Sequence, residues 1–308
     1  MIAPSDASQS GPSTTIHKEN AVKSFARIAG AAVLAVTVLA SAGACAQAQP
    51  KTEFQPQVGQ AGKDVIWVPT PDALVERMLT MAQATPNDFV VDLGAGDGRI
   101  AIAAAKKFGA KSMGIEYNPD MVALSKKNAA KDGVGEKVEF TRGDIFETDF
   151  SKATVVTMYL LPTLNAKLRP KILDMKPGTR IASHQFDMED WEPDELDTFE
   201  GRRAYLWIVP AKVQGTWKLQ YPAAGGAANP RELALALEQR YQVLKGNVKL
   251  GEINAGLREP TLRGDSIRFA FVDTAGVRRE FTGKVSGNTM DGTVRTDGGG
   301  EGRWTATR

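Results

Sequence analysis

The sequence predicts a doubly wound, mostly parallel α/β sheet over residues 64–211, followed by a small antiparallel β-rich domain over residues 212–308. Three observations carry that expectation. Short apolar runs alternate with segments of helical periodicity up to residue 211, the pattern of a parallel sheet covered on both faces. One strand-to-helix junction is the glycine-rich stretch Asp92-Leu93-Gly94-Ala95-Gly96-Asp97-Gly98. Beyond residue 211 the apolar period changes to two, as in antiparallel strands.

The first fifty residues precede both domains. Residues 28–46 (IAGAAVLAVTVLASAGACA) are apolar and uncharged, follow Lys18, Lys23 and Arg27, and end in small residues. A basic region, an apolar region and an A-x-A pattern describe a secretory signal peptide or an N-terminal anchor over residues 1–46. Cys45 also permits lipidation there. Positive charge on the N-terminal side leaves the remaining chain outside the cytoplasm, periplasmic or anchored facing the periplasm. Residues 47–63, with Gln, Pro and Gly, read as a linker.

Each element of the first domain has a local signal. Leu74, Val75, Met78, Leu79 and Ala82 have helical spacing after Pro69 and Pro71. Phe89–Leu93 is a buried strand, Ile100–Phe108 a helix, Lys111–Glu116 a strand and Pro119–Lys131 a helix. Val138–Phe140 and Ala153–Met158 read as strands, Pro162 to about Asp174 as a helix, and Arg180–His184 and Tyr205–Val209 as the fifth and sixth strands. In the tail, Trp217, Leu219 and Tyr221 alternate with polar residues, as do Ile267, Phe269 and Phe271. Six to eight strands in a small barrel or sandwich follow, with Trp217 and Trp304 in its core and Leu233–Leu237 ambiguous between helix and strand.

Composition narrows the function. The chain has 308 residues, 42% hydrophobic and 24% charged, which excludes disordered and collagen-like chains and a polytopic membrane protein. With 38 Lys and Arg against 36 Asp and Glu there is no global field for nucleic acid. One cysteine excludes an intrachain disulfide and a cysteine-built zinc or iron–sulfur site, and two histidines argue against a histidine-rich one, so no metal is expected.

The chemistry falls on three acids. Asp92 stands two residues before Gly94, and the glycines let backbone approach a ligand closely. A nicotinamide-type fingerprint requires glycine where the chain has Arg99. A carboxylate at this turn suits a cationic amino-acid group rather than pyrophosphate. Glu116 ends the second strand, 18 residues past Gly98, where an acid accepts hydrogen bonds from ribose hydroxyls. Asp144 follows the third strand, placed to accept from an adenine amine, with Ile145 or Phe146 beside the ring.

This pattern resembles the class I, seven-strand, Rossmann-like S-adenosylmethionine-dependent methyltransferases. The resemblance implies S-adenosyl-L-methionine as cofactor, held by Asp92, Leu93, Gly94, Ala95, Gly96, Gly98, Glu116, Tyr117, Asp144 and Ile145. Val68-Pro69-Thr70-Pro71 and Tyr159-Leu160-Leu161-Pro162 are further similar to bacterial relatives of the mitochondrial lysine methyltransferases, which implies a protein lysine as acceptor. A small-molecule acceptor is the other case. Tyr159, after the fourth strand, and His184, ending the fifth, are the candidate catalytic residues. Membrane contact is expected only through the N-terminal segment. An exported binding module that keeps the fold without catalysis, and a nicotinamide-dependent oxidoreductase, are the competing readings. A cytoplasmically made cofactor and an export signal also pull against each other.

Overall fold

The computed structural model describes residues 54–222 and 231–308. The expected export segment 1–46, with Cys45, lies outside the described residues. Inward-facing Leu74, Val75, Met78 and Leu79 build helix α1 (Asp72–Met81) after Pro71. The run Phe-Val-Val-Asp-Leu forms β1 (Phe89–Leu93), buried almost throughout, as a central parallel strand requires. Then follow α2 (Arg99–Phe108), β2 (Lys111–Glu116), α3 (Pro119–Lys131), β3 (Val138–Arg142), β4 (Val155–Met158), α4 (Pro162–Leu173) and β5 (Arg180–His184). Asn118 starts α3 by accepting a hydrogen bond from Asp120 N through its side chain, with Pro119 pre-setting the first turn.

Two antiparallel strands, β6 (Glu195–Phe199) and β7 (Arg202–Ile208), complete a seven-stranded sheet in the order β3-β2-β1-β4-β5-β7-β6. The sequence pattern does not mark β6. It is an edge strand, mostly exposed, so no apolar run signals it. The sixth expected strand begins earlier than expected, at the exposed Arg202 and Arg203. The strand order reverses between β1 and β4, so the crevice for a ligand opens above their C-terminal ends.

Among the described residues the C-terminal region holds nine antiparallel strands, not six to eight. They are β8 (Gly215–Tyr221), β9 (Arg231–Arg240), β10 (Val243–Leu250), β11 (Ile253–Gly256), β12 (Arg258–Arg263), β13 (Ser266–Val272), β14 (Arg278–Ser286), β15 (Thr289–Thr296) and β16 (Gly300–Thr307). The ambiguous Leu233–Leu237 is strand, within β9. The sheet order is β11-β10-β9-β8-β16-β15-β14-β13-β12. Its two edge strands, β11 and β12, are separated in sequence by Leu257 alone, so the sheet rolls round to bring its edges together. Trp217, Phe269, Phe271, Phe281 and Trp304 fill the interior. Arg279 and Asp273, both nearly fully buried, pair at 2.9 Å beside the β13–β14 turn.

Candidate active site

The crevice is built first by backbone. Gly94, Gly96 and Gly98 have φ of 78°, 56° and 85°, conformations that favour glycine. A Cβ on Gly96 would lie 2.6 Å from Trp67 Nε1, and one on Gly98 would lie 2.6 Å from the Phe140 ring. The turn is pinned to β2, since Gly94 N and Ala95 N both donate to Ile115 O at 2.9 and 3.0 Å.

Three carboxylates face this turn. Asp92 is buried and accepts a hydrogen bond from Thr157 Oγ1 at 2.7 Å. Burial pushes its carboxyl up to about 7. The Thr157 hydroxyl pulls the other way, and the charges of Asp97 and Glu116 add to the rise. Glu116 accepts from Gly96 N and from Asn118 N, each at 2.9 Å. Asp144 accepts from Phe146 N at 2.9 Å and is paired with Lys63. The hydrogen bond from Lys63, then that from Phe146, hold its carboxyl below the usual carboxylate range.

Lys63 belongs to a strap that roofs a cavity of about 590 Å³. Gly59 N donates to Trp67 O and Trp67 N to Gln60 O, each at 2.9 Å, and Gly62 N donates to Val65 O at 2.8 Å. Residues 57–63, linker-like by composition, are thus folded, and residues 60–63 are part of the wall. No local apolar pattern signals this, because Asp144, which holds Lys63, and Gly96, beside the Trp67 ring, lie far along the chain. Lys63 Nζ also stands 5.1 Å from the Tyr117 ring centre.

Of the residues singled out from the sequence, Asp92, Gly94, Ala95, Gly96, Glu116, Tyr117, Asp144, Ile145 and Tyr159 line the cavity. Leu93 and Gly98 do not. The Leu93 side chain is fully buried in the core with Val91 and Met158, because successive strand residues face opposite ways. Gly98 is the left-handed N-cap of α2, packed against Phe140 and Ser125. His184 is also placed outside the lining. It is buried behind Tyr159, ring centres 3.8 Å apart, with Nδ1 3.0 Å from Thr70 Oγ1. Burial, then the charge of Arg202, lowers its pKa to about 4, so at neutral pH it is an uncharged brace for Tyr159. Sequence reasoning overlooks Phe186, which lines the cavity with its ring stacked 6.0 Å from that of Tyr159.

The donor set fits one kind of ligand. It offers acids at three separate points for a cationic amino-acid end, paired hydroxyls and an exocyclic amine. It also offers a glycine cradle that side chains would fill.

Comparison with known proteins agrees. The family model for the ANTKMT methyltransferase domain matches residues 92–195. A protein-lysine N-methyltransferase of Saccharolobus islandicus (strain REY15A) is 42% identical over 151 residues, 47% of this chain and 94% of that protein. An adenine nucleotide translocase lysine N-methyltransferase of Mus musculus is 32% identical over 120 residues, 39% of this chain and 52% of that protein, so the chain spans about half its length. Among solved structures, an RNA methyltransferase from Salinibacter ruber in complex with S-adenosyl-L-homocysteine is 50% identical, covering 47% of this chain and 96% of that one at a TM-score of 0.47. The chain belongs to the class I S-adenosylmethionine-dependent methyltransferases related to the protein-lysine methyltransferases, with S-adenosylmethionine as its cofactor.

Proposed function

We propose that the protein methylates the side-chain amine of a protein lysine. The charge of the cavity carries this reading. Its wall holds five carboxylates, Asp64, Asp92, Asp97, Glu116 and Asp144, against two basic residues, Lys63 and Arg99. Both basic groups are paired with carboxylates of the same wall. Such a wall favours cations, the cofactor's own among them, and presents a phosphate backbone with no base that is not already paired to one of its acids. The rim adds apolar surface: Ile66, Val68 and Leu161 line the cavity and are exposed. They suit the methylene stem of lysine and apolar neighbours in a polypeptide.

The roles follow from position. Asp92 would hold the ammonium of the methionine end, and Gly94, Ala95 and Gly96 would let that end approach the backbone. Glu116 would take the ribose hydroxyls and Asp144 the adenine amine, with Tyr117 and Ile145 beside the ring. Tyr159 and Phe186 wall the acceptor end. Bound there, S-adenosylmethionine would supply a methyl group on a sulfonium: the lysine ammonium would first lose a proton to water, and the freed lone pair would take the methyl while the sulfur kept the bonding pair as a thioether. The protein's share is alignment of the two reactants. An intact acid set at all three strand ends disfavours a module that has lost catalysis. The export reading of residues 28–46 places the acceptor in the cell envelope, as part of the same proposal.

The test incubates the full chain with methyl-tritiated S-adenosylmethionine and, separately, total protein or total RNA of the cells that make it. The expected result is label recovered as Nε-methyl-lysine after acid hydrolysis. Label in RNA nucleosides, or on no amino acid, overturns the reading.

A further inference from the structure

The ANTKMT-domain match ends at residue 195, before the rolled C-terminal sheet begins, so the sheet is an addition to the catalytic fold. One of its turns reaches the cavity indirectly. The loop after β5 carries Phe186 in the cavity wall, and it passes through left-handed backbone at two non-glycine residues, Gln185 (φ 67°) and Glu189 (φ 57°). Such conformations cost free energy and persist only where surrounding contacts impose them.

The contacts come from two sides. From α4, Asn165 Nδ2 donates to Phe186 O at 3.2 Å and Asp187 O at 2.9 Å, and Arg169 donates to Met188 O at 2.7 Å and Asp190 at 2.6 Å. From the end of β9, Arg240 donates to Asp190 at 2.8 Å, and from the β9–β10 turn the Tyr241 hydroxyl reaches both Asp190 oxygens at 3.1 Å. Gln242 bonds at both ends of its amide. Its Oε1 accepts from Trp191 Nε1 at 2.8 Å, and its Nε2 donates to Glu192 O at 2.7 Å. The Tyr241 ring stacks on Trp191, centres 5.7 Å apart. Tyr241 is itself left-handed, φ 53°, at the tip of the turn.

We propose that Tyr241 and Gln242 are positioning residues for methyl transfer. The C-terminal sheet presses the 185–192 loop against α4 and so fixes Phe186, and through it Tyr159, at the acceptor end of the cavity. The proposal rests on the assignment of Tyr159 and Phe186 to that end. The sheet thereby serves acceptor alignment and leaves the cofactor acids untouched, since none of the clamp contacts reaches Asp92, Glu116 or Asp144.

The experiment uses the full chain with Tyr241→Ala, Gln242→Ala and Gln242→Glu, the last retaining an acceptor for Trp191 Nε1. Three quantities are read: S-adenosylhomocysteine affinity by calorimetry, amide hydrogen exchange over residues 185–192, and steady-state methylation of poly-L-lysine. The alanine variants are expected to bind S-adenosylhomocysteine within about twofold of wild type and to exchange loop amides about tenfold faster. They should lose about tenfold in kcat/KM, mainly through the KM for poly-L-lysine, and Gln242→Glu should recover only part of it, since it keeps the acceptor for Trp191 Nε1 and loses the donor to Glu192 O. Unchanged loop exchange, unchanged kcat/KM with faster exchange, or cofactor affinity falling in step with rate each overturns the proposal. If wild type leaves poly-L-lysine unmethylated, the same variants are compared on total cell protein; if that carries no methyl-lysine label either, the lysine reading fails, and loop exchange together with cofactor affinity decides the clamp alone.

Discussion

Asp92 makes cofactor affinity depend on pH, and the size of the effect follows from its surroundings. In the free protein its carboxyl titrates at about 7, through burial first, opposed by Thr157 and reinforced by Asp97 and Glu116. An ammonium seated beside it favours the ionised form, so its pKa falls on binding. Affinity is therefore full only well above pH 7 and weakens as pH falls through it. At pH 6 roughly a tenth of the molecules carry an ionised Asp92, against about three quarters at pH 7.5. The affinity for S-adenosylhomocysteine should then drop about eightfold over that interval, roughly 1.3 kcal/mol. Calorimetry at pH 6 in two buffers of different ionisation heat should show about one proton released per ligand bound. Asp92→Asn should bind more weakly at pH 7.5 and show neither the slope nor the release. Flat wild-type affinity from pH 6 to 7.5 with no proton released would refute the placement of Asp92 beside the ligand's ammonium.

Three further outcomes are expected. Gly96→Ala puts a Cβ against Trp67 at a left-handed position, and should cost about 1–2 kcal/mol in urea denaturation and more than tenfold in S-adenosylhomocysteine affinity as the strap is displaced. Lys63→Met removes the ion pair across the cavity mouth, and should speed S-adenosylhomocysteine dissociation several-fold in stopped flow with little change in unfolding midpoint. His184→Asn tests two opposed linkages. The raised Asp92 pKa contributes stability present below about pH 4 and lost as pH rises through about 7. The lowered His184 pKa contributes stability present above about pH 6.5 and lost as pH falls towards about 4. Between those limits the two slopes oppose, so removing His184 should shift the slope of stability by up to about 1.4 kcal/mol per pH unit, with the variant losing stability as pH rises from 5 to 6.5. Equal slopes for wild type and variant would contradict the buried, neutral state of His184.

Much of this is legible in the sequence because the relevant signals are local. The strand–glycine–helix junction at 92–99 and the acids ending β2 and following β3 each announce themselves within a few residues, and the parallel sheet brings them to one edge. Elements without a local signal escape. Strand β6 is a mostly exposed edge held by pairing with β7 and by Arg77 of α1 on Asp197 and Phe199, contacts with distant segments. The strap reads as linker because its order comes from Trp67 over the glycine turn and Lys63 on Asp144, contacts between distant segments. His184 is a candidate proton acceptor by residue type, yet its neighbours Thr70 and Tyr159, which seal it from the cavity, come from other parts of the sequence. Likewise Leu93 falls in the motif by position, while the alternation of the strand turns it into the core.

The claim on which the rest depends is that the acids at the ends of β1, β2 and β3 hold the cofactor. Calorimetry of S-adenosylhomocysteine on the wild-type chain, with Glu116→Ala as the comparison, tests it most directly. The account predicts binding of about micromolar affinity in the wild type, weakened at least tenfold by Glu116→Ala in a protein that remains folded. Well-folded wild type that binds nothing, or Glu116→Ala that binds as tightly as wild type, would contradict it.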